Sequence, residues 1–207
     1  MTAIPARRGA RPGKGDRSRR RILDAAEQLF AELGFHAASI VKITEAAGVA
    51  QGTFYLYFES KRAIFAEVLL DLNHRVRQAM AEGAHGATTR EQAERGGFLG
   101  FFRFTAEHPA LYRVIRQAEF VAPELLERHY ATIAAGYVDG LRQAMAAGEI
   151  ADADPEVVAW ALMAVGEMVG MRWVLWPHAT EIPPEVFDET MAFVSRALGR
   201  GTATGAD

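Results

Sequence analysis

The sequence predicts an all-α fold, in which a small N-terminal head of three short helices precedes a larger helical body, giving about nine helices in total. Apolar residues recur at the three-to-four-residue period of amphipathic helices, and no alternating run is long enough for a β-strand. Three prolines stand where the first turn of a helix tolerates them, Pro109, Pro155 and Pro184. We expect the body helices near residues 89–107, 109–119, 123–147, 155–175 and 184–198.

Composition limits the classes of protein that this chain can represent. Half of its 207 residues are hydrophobic, so it can bury a core. The absence of cysteine excludes disulfides, thiolate metal sites and a cysteine nucleophile. The six histidines show no metal-ligand spacing, and we expect neither a metal nor a cofactor.

Charge divides the chain into a basic and an acidic part. Residues 1–62 contain 11 Lys and Arg against 6 Asp and Glu, whereas the remainder contains 12 against 20. This division predicts a polyanionic partner for the first part alone, although a basic disordered tail without a partner would give the same composition. We divide the chain into a disordered basic arm (1–16), a head (17–62), a body (63–200) and a disordered tail (201–207).

No segment is expected to enter a membrane. The basic N-terminal residues do not lead into an apolar signal-peptide core, because Asp24 and Glu27 interrupt the first apolar stretch. The most apolar run, Val157–Gly166, is too short to cross a bilayer. We therefore expect a cytoplasmic protein.

Local signals mark each helix boundary in the head. Gly34 is expected to end an amphipathic helix, and Ser39 to cap the next one. Gly48 permits a left-handed turn before a third helix at about Gln51–Tyr57. Ser60 is expected to cap a long fourth helix. The inward positions of the first helix are Ile22, Ala26, Leu29, Phe30 and Leu33, and those of the fourth are Ile64, Phe65, Val68, Leu69 and Leu72.

Two short helices joined by a glycine turn predict a helix-turn-helix, whose second helix turns one face to DNA. Phe54 and Phe58 are four residues apart and are expected to pack inward. The residues expected on the opposite side, or at its edge, are Gly52, Thr53, Tyr55, Leu56 and Tyr57. Such a face provides hydrogen-bonding groups and apolar contacts for a major groove.

Three stretches of the head resemble the DNA-binding region of the TetR/AcrR family of bacterial transcriptional regulators. They are RRRILDAAEQLFAELGF (19–35), SIVKITEAAGV (39–49) and GTFYLYFESKRAIFAEVL (52–69). The resemblance implies that Ser39 and Lys42 meet phosphate or a base edge. It also implies that Gly52 lets the helix backbone approach the DNA groove closely. The implied base-reading residues are Gln51, Thr53 and Tyr55, and the implied phosphate-binding residues are Tyr57 and Lys61.

Two positions depart from the family pattern. Ala50 stands where many members have a capping serine, so that cap is missing. Leu56 replaces a larger or polar side chain and suggests apolar contact with a thymine methyl group. The operator sequence therefore cannot be transferred from relatives.

The resemblance also implies a homodimer that pairs through its last two helices. The eighth helix is apolar nearly all round, which burial within one chain explains less easily than pairing does. The candidate interface residues are Val157, Trp160, Ala161, Ala164, Val165 and Met168 in the eighth helix, and Phe187, Met191 and Val194 in the ninth.

The middle helices are expected to enclose a small hydrophobic effector. The candidate residues are Phe98, Phe101, Phe102, Arg103, Tyr112, Arg116, Phe120, Tyr137, Met163, Glu167, Met171 and Trp173. Glu167 lies in an apolar helix and needs a partner, for which Arg172 and Arg103 are candidates ahead of a ligand. Arg103, Arg113 and Arg116 are candidates for the phosphates of an acyl-CoA or aryl-CoA thioester, although exposed arginines on helix faces would look the same.

The resulting hypothesis is a homodimeric repressor that a small hydrophobic effector releases from double-stranded operator DNA. Effector and DNA would then oppose each other by reciprocal linkage. An architectural DNA binder without an effector is the alternative, against which the aromatic body argues. An enzyme is not expected, because the sequence contains no GxSxG, GxxxxGK[ST] or HExxH motif.

Overall fold

The computed structural model describes residues 14–199, which form α-helices, one π-helical segment and their connections. Packing separates two units, Met1–Val68 and Leu69–Asp207. The helices are α1 (Lys14–Ala37), α2 (Ile40–Ala47), α3 (Gln51–Tyr55), α4 (Lys61–Gly83), α5 (Arg90–Glu107), α6 (Ala110–Val121), α7 (Pro123–Ala146), α8 (Pro155–Gly170) and α9 (Pro184–Leu198), with the π-helical segment at Met171–Leu175.

Helix α1 begins earlier than the sequence pattern suggested. The last three residues of the predicted arm are helical, and Asp16 lies in the first turn, where a negative charge stabilises the helix dipole. Residues 1–13 of the arm and the predicted tail, 201–207, lie outside the described residues. Gly34 interrupts α1 with φ 80° and ψ 161°, and a last short turn then runs to Ala37.

The predicted caps of the first unit are present. The Ser39 hydroxyl accepts a hydrogen bond from the Lys42 amide at 3.2 Å, and Gly48 is left-handed with φ 62° and ψ 43°. Helix α3 ends at Tyr55, two residues before the predicted end. The Ser60 hydroxyl accepts from the Ala63 amide at 3.1 Å as α4 begins.

Aromatic packing explains where the first unit ends. The Phe65 ring meets the Phe30 ring edge-on with centroids 5.2 Å apart, and it meets the Phe35 ring at 5.1 Å. Ile64 and Val68 are also buried. The unit therefore includes the first two turns of α4 and extends to Val68.

The second unit contains the helices predicted for the body, with ends within two residues of the predicted ones. Asp154 caps α8 by accepting from the amides of Glu156 and Val157. A core cluster in this unit combines Phe98 and Phe102 of α5, Leu141 of α7 and residues of α8 and α9. Phe98 of this cluster also lines a cavity in the second unit.

One helical stretch, Pro155–Leu175, has the length and apolar composition that a membrane span requires. The π-helical segment carries this stretch to Leu175, the end predicted for the helix, so the helix is longer than its most apolar run, Val157–Gly166. A third of this window is buried inside the protein. Length and composition of this kind also occur in core helices of soluble proteins.

Candidate nucleic-acid interface and effector cavity

The turn between α2 and α3 sets the direction of the candidate recognition helix. Gly48 adopts a left-handed conformation, and its amide donates to the Glu45 carbonyl at 3.0 Å. The Arg21 Nη2 atom of α1 donates to the Gly48 carbonyl oxygen at 3.3 Å. Arg21 was not among the predicted residues, and its position one helix away gave no local signal for this contact.

Helix α3 separates its aromatic side chains between core and surface as predicted. Phe54 is 0 % exposed and Phe58 is 3 % exposed, whereas Tyr55 is 54 % exposed and Leu56 is 77 % exposed. Gln51 and Gly52 are also exposed, and Thr53 is half-buried. The outer face thus carries an amide, a phenol and an apolar side chain, which are groups that read base edges and thymine methyls.

Gly52 provides an open approach on this face. A Cβ atom added to Gly52 would have no heavy atom within 4 Å, so no part of the described chain requires glycine there. The space is open to a partner, and the absent side chain lets a second backbone approach closely. This observation agrees with the role that the resemblance implies, which stays a prediction.

Ser39 and Lys42 lie together at the start of α2. The Ser39 hydroxyl is half-buried and occupied by capping, but it retains a proton to donate. The exposed Lys42 ammonium donates to the Ala37 carbonyl at 3.2 Å, which leaves two of its three donors for a phosphate.

Lys61 makes contacts within its own chain that its predicted role in phosphate binding did not include. Its ammonium donates to the carbonyl oxygens of Phe35 at 2.6 Å, Ala38 at 2.7 Å and His36 at 3.3 Å. It also lies 4.5 Å from the centroid of the Phe35 ring. These three carbonyls lie after the Gly34 break and engage all three ammonium protons. In this arrangement Lys61 joins α4 to the end of α1 and has no proton left for a phosphate, and burial lowers its pKa.

Tyr57 and Ala50 complete the predicted face. Tyr57 is half-buried, and its hydroxyl oxygen lies 3.4 Å from the position that a Cβ on Gly15 would take. Ala50 precedes α3 without any side-chain capping bond, as its replacement of serine predicted. The first amides of α3 are therefore not occupied by the Ala50 side chain.

An apolar cavity of about 50 Å³ lies inside the second unit, between α4, α5, α6, α7 and α8. Its fifteen lining residues include six that the sequence predicted: Phe98, Phe101, Tyr112, Tyr137, Met163 and Glu167. Residues that the sequence analysis missed also line it: Val76, Met80, Leu111, Ile115, His129, Tyr130, Ile133, Leu162 and Gly166. The volume holds a few waters, so a larger ligand requires the walls to move.

The other six predicted effector residues do not line this cavity. Phe102 and Met171 are buried in helix packing, and Phe120 is 83 % exposed. Trp173, Arg103 and Arg116 lie on exposed helix surfaces. Aromatic content identified the right helices, but the direction of each side chain depends on neighbours that composition does not reveal.

Glu167 finds a partner that the sequence analysis did not name. The Tyr130 hydroxyl lies 3.0 Å from each Glu167 carboxylate oxygen and donates its proton to this carboxylate. The Tyr112 hydroxyl donates to the Glu167 backbone carbonyl at 3.4 Å. Burial and the Glu167 charge raise the pKa of both phenols, so both remain protonated donors. Neither Arg172 nor Arg103 forms an ion pair with Glu167 within residues 14–199.

Tyr130 could have been found from spacing alone. It precedes Tyr137 by seven residues and Ile133 by three, which places all three on one side of α7. Of these three residues, only Tyr137 was predicted to contact the effector.

A buried polar chain fixes the protonation of His129 at the cavity wall. The Arg77 Nε atom donates to the Asn73 side-chain oxygen at 2.9 Å, so the Asn73 amide nitrogen faces His129 Nδ1 at 2.9 Å. Nδ1 must accept this bond, which assigns the ring proton to Nε2. Burial, assisted by the Arg77 charge, lowers the pKa of His129 to about 4. The wall therefore carries a neutral imidazole at physiological pH.

The predicted dimer residues divide between α8 and α9. Val157, Trp160, Ala161, Ala164 and Met168 are exposed along one side of α8, and Val165 is half-buried. These side chains form a continuous apolar strip over three turns of α8, the α8 strip.

The α9 part of the predicted interface packs inside its own chain. Phe187, Met191 and Val194 are buried in the core cluster of their own chain. Their spacing indicated a common face but not what that face meets. The opposite side of α9 exposes Phe193, at 52 %, which the sequence analysis missed.

Comparison with known proteins gives short matches to about the first third of the chain and longer matches that cover most of it. The sequence profile described as "Bacterial regulatory proteins, tetR family" matches residues 22–68. A transcriptional regulator of Bacillus subtilis, YdgC, is 51 % identical over 65 residues, which are 31 % of this chain and 33 % of YdgC. This chain therefore matches only a third of the length of that relative.

Two further comparisons extend over most of the chain. MftR of Mycobacterium tuberculosis, named as a mycofactocin biosynthesis transcriptional regulator, is 30 % identical over 164 residues, covering 74 % of this chain and 78 % of MftR. The solved structure of the fatty acid degradation regulator FadR from Bacillus halodurans has a TM-score of 0.77 and 22 % identity, covering 89 % of this chain and 96 % of that one. The latter likeness concerns the fold alone.

Proposed function

Since this chain belongs to the tetR family of bacterial regulatory proteins and is a DNA-binding transcriptional regulator, we propose that it acts as a cytoplasmic homodimeric repressor. A small hydrophobic effector releases it from its operator. The observation that carries the proposal is the pairing of an outward-facing α3 with an apolar cavity in the second unit. The first serves a large polyanionic partner, and the second serves a small molecule.

The DNA-binding part of the proposal assigns different roles to two sides of the first unit. Gln51, Thr53 and Tyr55 read bases, Leu56 contacts a thymine methyl group, and Lys42 and Tyr57 position phosphates. Base contacts change specificity, whereas phosphate contacts change affinity for every sequence. Lys61 has the supporting role described above, so its replacement weakens binding through the disturbed junction of α1 and α4.

Fluorescence anisotropy on the upstream DNA of the protein's own gene tests this assignment against a scrambled duplex at the same salt concentration. Tyr55→Ala is expected to weaken specific binding by about 1–3 kcal/mol and to leave scrambled DNA nearly unchanged. Lys42→Gln is the matched control, because it should weaken both duplexes and reduce the salt slope by about one unit. Equal affinity of the wild type for the two duplexes would contradict a specific repressor and favour an architectural DNA binder.

The dimer part of the proposal assigns the exposed α8 strip to pairing. Helix-turn-helix proteins gain affinity when two heads lie about one DNA turn apart, roughly 34 Å. The Trp160 ring at this strip also lies 6.0 Å from the Tyr130 ring, so the strip adjoins a residue of the cavity wall. Phe187, Met191 and Val194 are not part of this proposal, because they are buried.

Sedimentation equilibrium tests the pairing surface with two exposed positions. Ala164→Glu places a charge in the centre of the strip and is expected to give monomers. Phe120→Glu is the control, because Phe120 is 83 % exposed and lies on α6 rather than on α8. A dimer that survives the first change and dissociates with the second would reject the α8 assignment.

The effector part of the proposal rests on the cavity. Its walls are mostly apolar, and its few polar groups converge from α6, α7 and α8, as in small-molecule sites. Acyl-CoA and aryl-CoA thioesters remain candidate effectors. Helix α4 runs from the first unit into the second, and Val76 and Met80 of α4 line the cavity, so an effector that shifts α4 changes the position of the DNA-binding residues.

A further inference from the structure

A second space adjoins the apolar cavity. It is a groove of about 290 Å³ between α4, α5 and α7. Met80, Ile133 and Tyr137 line both spaces and form the wall between them. Methionine is unbranched and adapts its shape readily, so Met80 is the residue of this wall that can most easily change its conformation. Joined, the two spaces reach the lower part of the roughly 300–1,000 Å³ range of ligand sites.

The groove differs from the cavity in charge. The charged residues that line the groove are Arg77, Arg90 and Glu94. Arg90 forms an ion pair with the buried Glu94, which compensates one positive charge. Arg77 uses Nε to hold Asn73, and its two terminal nitrogens contact no acceptor within residues 14–199. The groove therefore has an excess positive charge and free guanidinium donors.

Arg90 provides a second sign that the groove awaits an acceptor. Its Nε atom is buried and has no hydrogen-bond partner within the described part of the chain. An unsatisfied buried donor costs free energy, and proteins rarely retain one without water or a ligand. Arg90 also lies with its guanidinium carbon 5.8 Å from the centroid of the Tyr137 ring, at the wall that the two spaces share.

The lining of the cavity contains no cationic side chain that could bind an anion. None of its fifteen lining residues is Arg or Lys, and Glu167 places a carboxylate at the α8 side. An anionic group at that side would be repelled, whereas an apolar chain would fit the walls formed by Phe98, Leu162 and Ile115. A ligand with one charged end thus has a single favourable orientation across the two spaces.

We propose, building on the regulator function proposed above, that the effector is an anionic amphiphile. Its apolar chain enters the cavity past Met80, and its carboxylate or phosphate binds Arg77 and Arg90 in the groove. This assignment replaces Arg103 and Arg116, which line neither space, as the residues that receive the charge. A free fatty acid and an acyl thioester both have the required chemistry.

Calorimetry without DNA tests the proposal with four probes of one chain length, all below their micelle concentrations: dodecanoate, dodecanoyl-CoA, methyl dodecanoate and dodecyltrimethylammonium. At least one of the two anions is expected to bind tighter than the uncharged ester. The stronger of the two identifies the source of the anion. Preference for the ammonium ion would overturn the proposal and point to Glu167 as the recognition group. Equal binding of all four probes, or binding of none, would also overturn it.

The role of the groove is tested by Arg77→Gln, with Arg103→Gln as the matched control on exposed surface of α5. The first variant is expected to weaken the anion about tenfold more than the methyl ester, since a charged hydrogen-bond donor is lost to the anion alone, whereas the lost contact with Asn73 affects both probes. The control should bind every probe as the wild type does. An unchanged anion affinity in Arg77→Gln would reject the groove. Specific operator binding is measured separately, so a failure here leaves the DNA-binding proposal standing.

Discussion

A tyrosine side chain faces solvent at α3 in the first unit, whereas tyrosine side chains line a cavity wall in the second. In the first, Tyr55 is 54 % exposed on a five-residue helix whose other side is anchored by Phe54. In the second, Tyr112 is 4 % exposed, and its hydroxyl and that of Tyr130 both donate to Glu167 at a cavity wall. The proposed function assigns these two arrangements to partners of different size. An exposed helix face suits a duplex, whereas polar groups at a cavity wall suit a small molecule.

The largest expected effect comes from neighbouring positions of α3. Phe54→Ala removes a fully buried ring and is expected to destabilise the first unit by about 3–5 kcal/mol. Tyr55→Ala should change the stability by no more than about 0.5 kcal/mol, because the ring is exposed. Hydrogen-exchange protection of the α1 amides measures both. Equal loss of protection in the two variants would remove the distinction between anchoring and reading sides.

Acid should destabilise the second unit through His129. Its folded pKa of about 4 lies below the ordinary value of about 6.5, so the unfolded chain binds the proton first. The contribution is complete above pH ~6.5 and is lost as the pH falls towards 4, by an amount on the order of 3 kcal/mol. All three tryptophans, Trp160, Trp173 and Trp176, lie in this unit, so their fluorescence reports its urea unfolding.

His129→Gln provides the comparison for that titration. The variant should lose this part of the pH dependence between 6.5 and 4, whatever its stability at pH 7. The same slope in the wild type and the variant would show that other groups cause the acid sensitivity.

A smaller loss of stability is expected from a substitution where α4 and α5 approach each other. A Cβ on Gly96 would overlap the Gly83 carbonyl oxygen, so Gly96→Ala forces the helices apart and should cost about 1–3 kcal/mol. Gly136→Ala is the control, because a Cβ there has no neighbour within 4 Å and should add up to about 1 kcal/mol of stability. Urea unfolding followed by tryptophan fluorescence compares the two. A stable Gly96→Ala variant would mean that the helices separate easily.

Sequence information was sufficient where the determinants are local. Ser39 and Gly48 define the helix ends by their own side chain or backbone, and Phe54 and Phe58 share a face by their spacing. Lys61 shows the limit even in this unit, because its carbonyl partners are more than twenty residues away.

The second unit depends more on distant contacts. Phe187, Met191 and Val194 have the spacing of a single apolar face, but the same spacing fits a dimer and a monomer core. Only the packing of α9 on its own chain decides between them. Glu167 likewise required a partner, and the choice of Tyr130 over an arginine depends on how α7 lies against α8.

The most direct test of the account is the reciprocal coupling between operator DNA and effector. Anisotropy gives the affinity for labelled upstream DNA with and without saturating dodecanoyl-CoA, and calorimetry gives the affinity for dodecanoyl-CoA with and without that DNA. The account predicts that each ligand weakens the other by the same factor, about 5–150-fold. Tight binding of dodecanoyl-CoA with an unchanged operator affinity would contradict it.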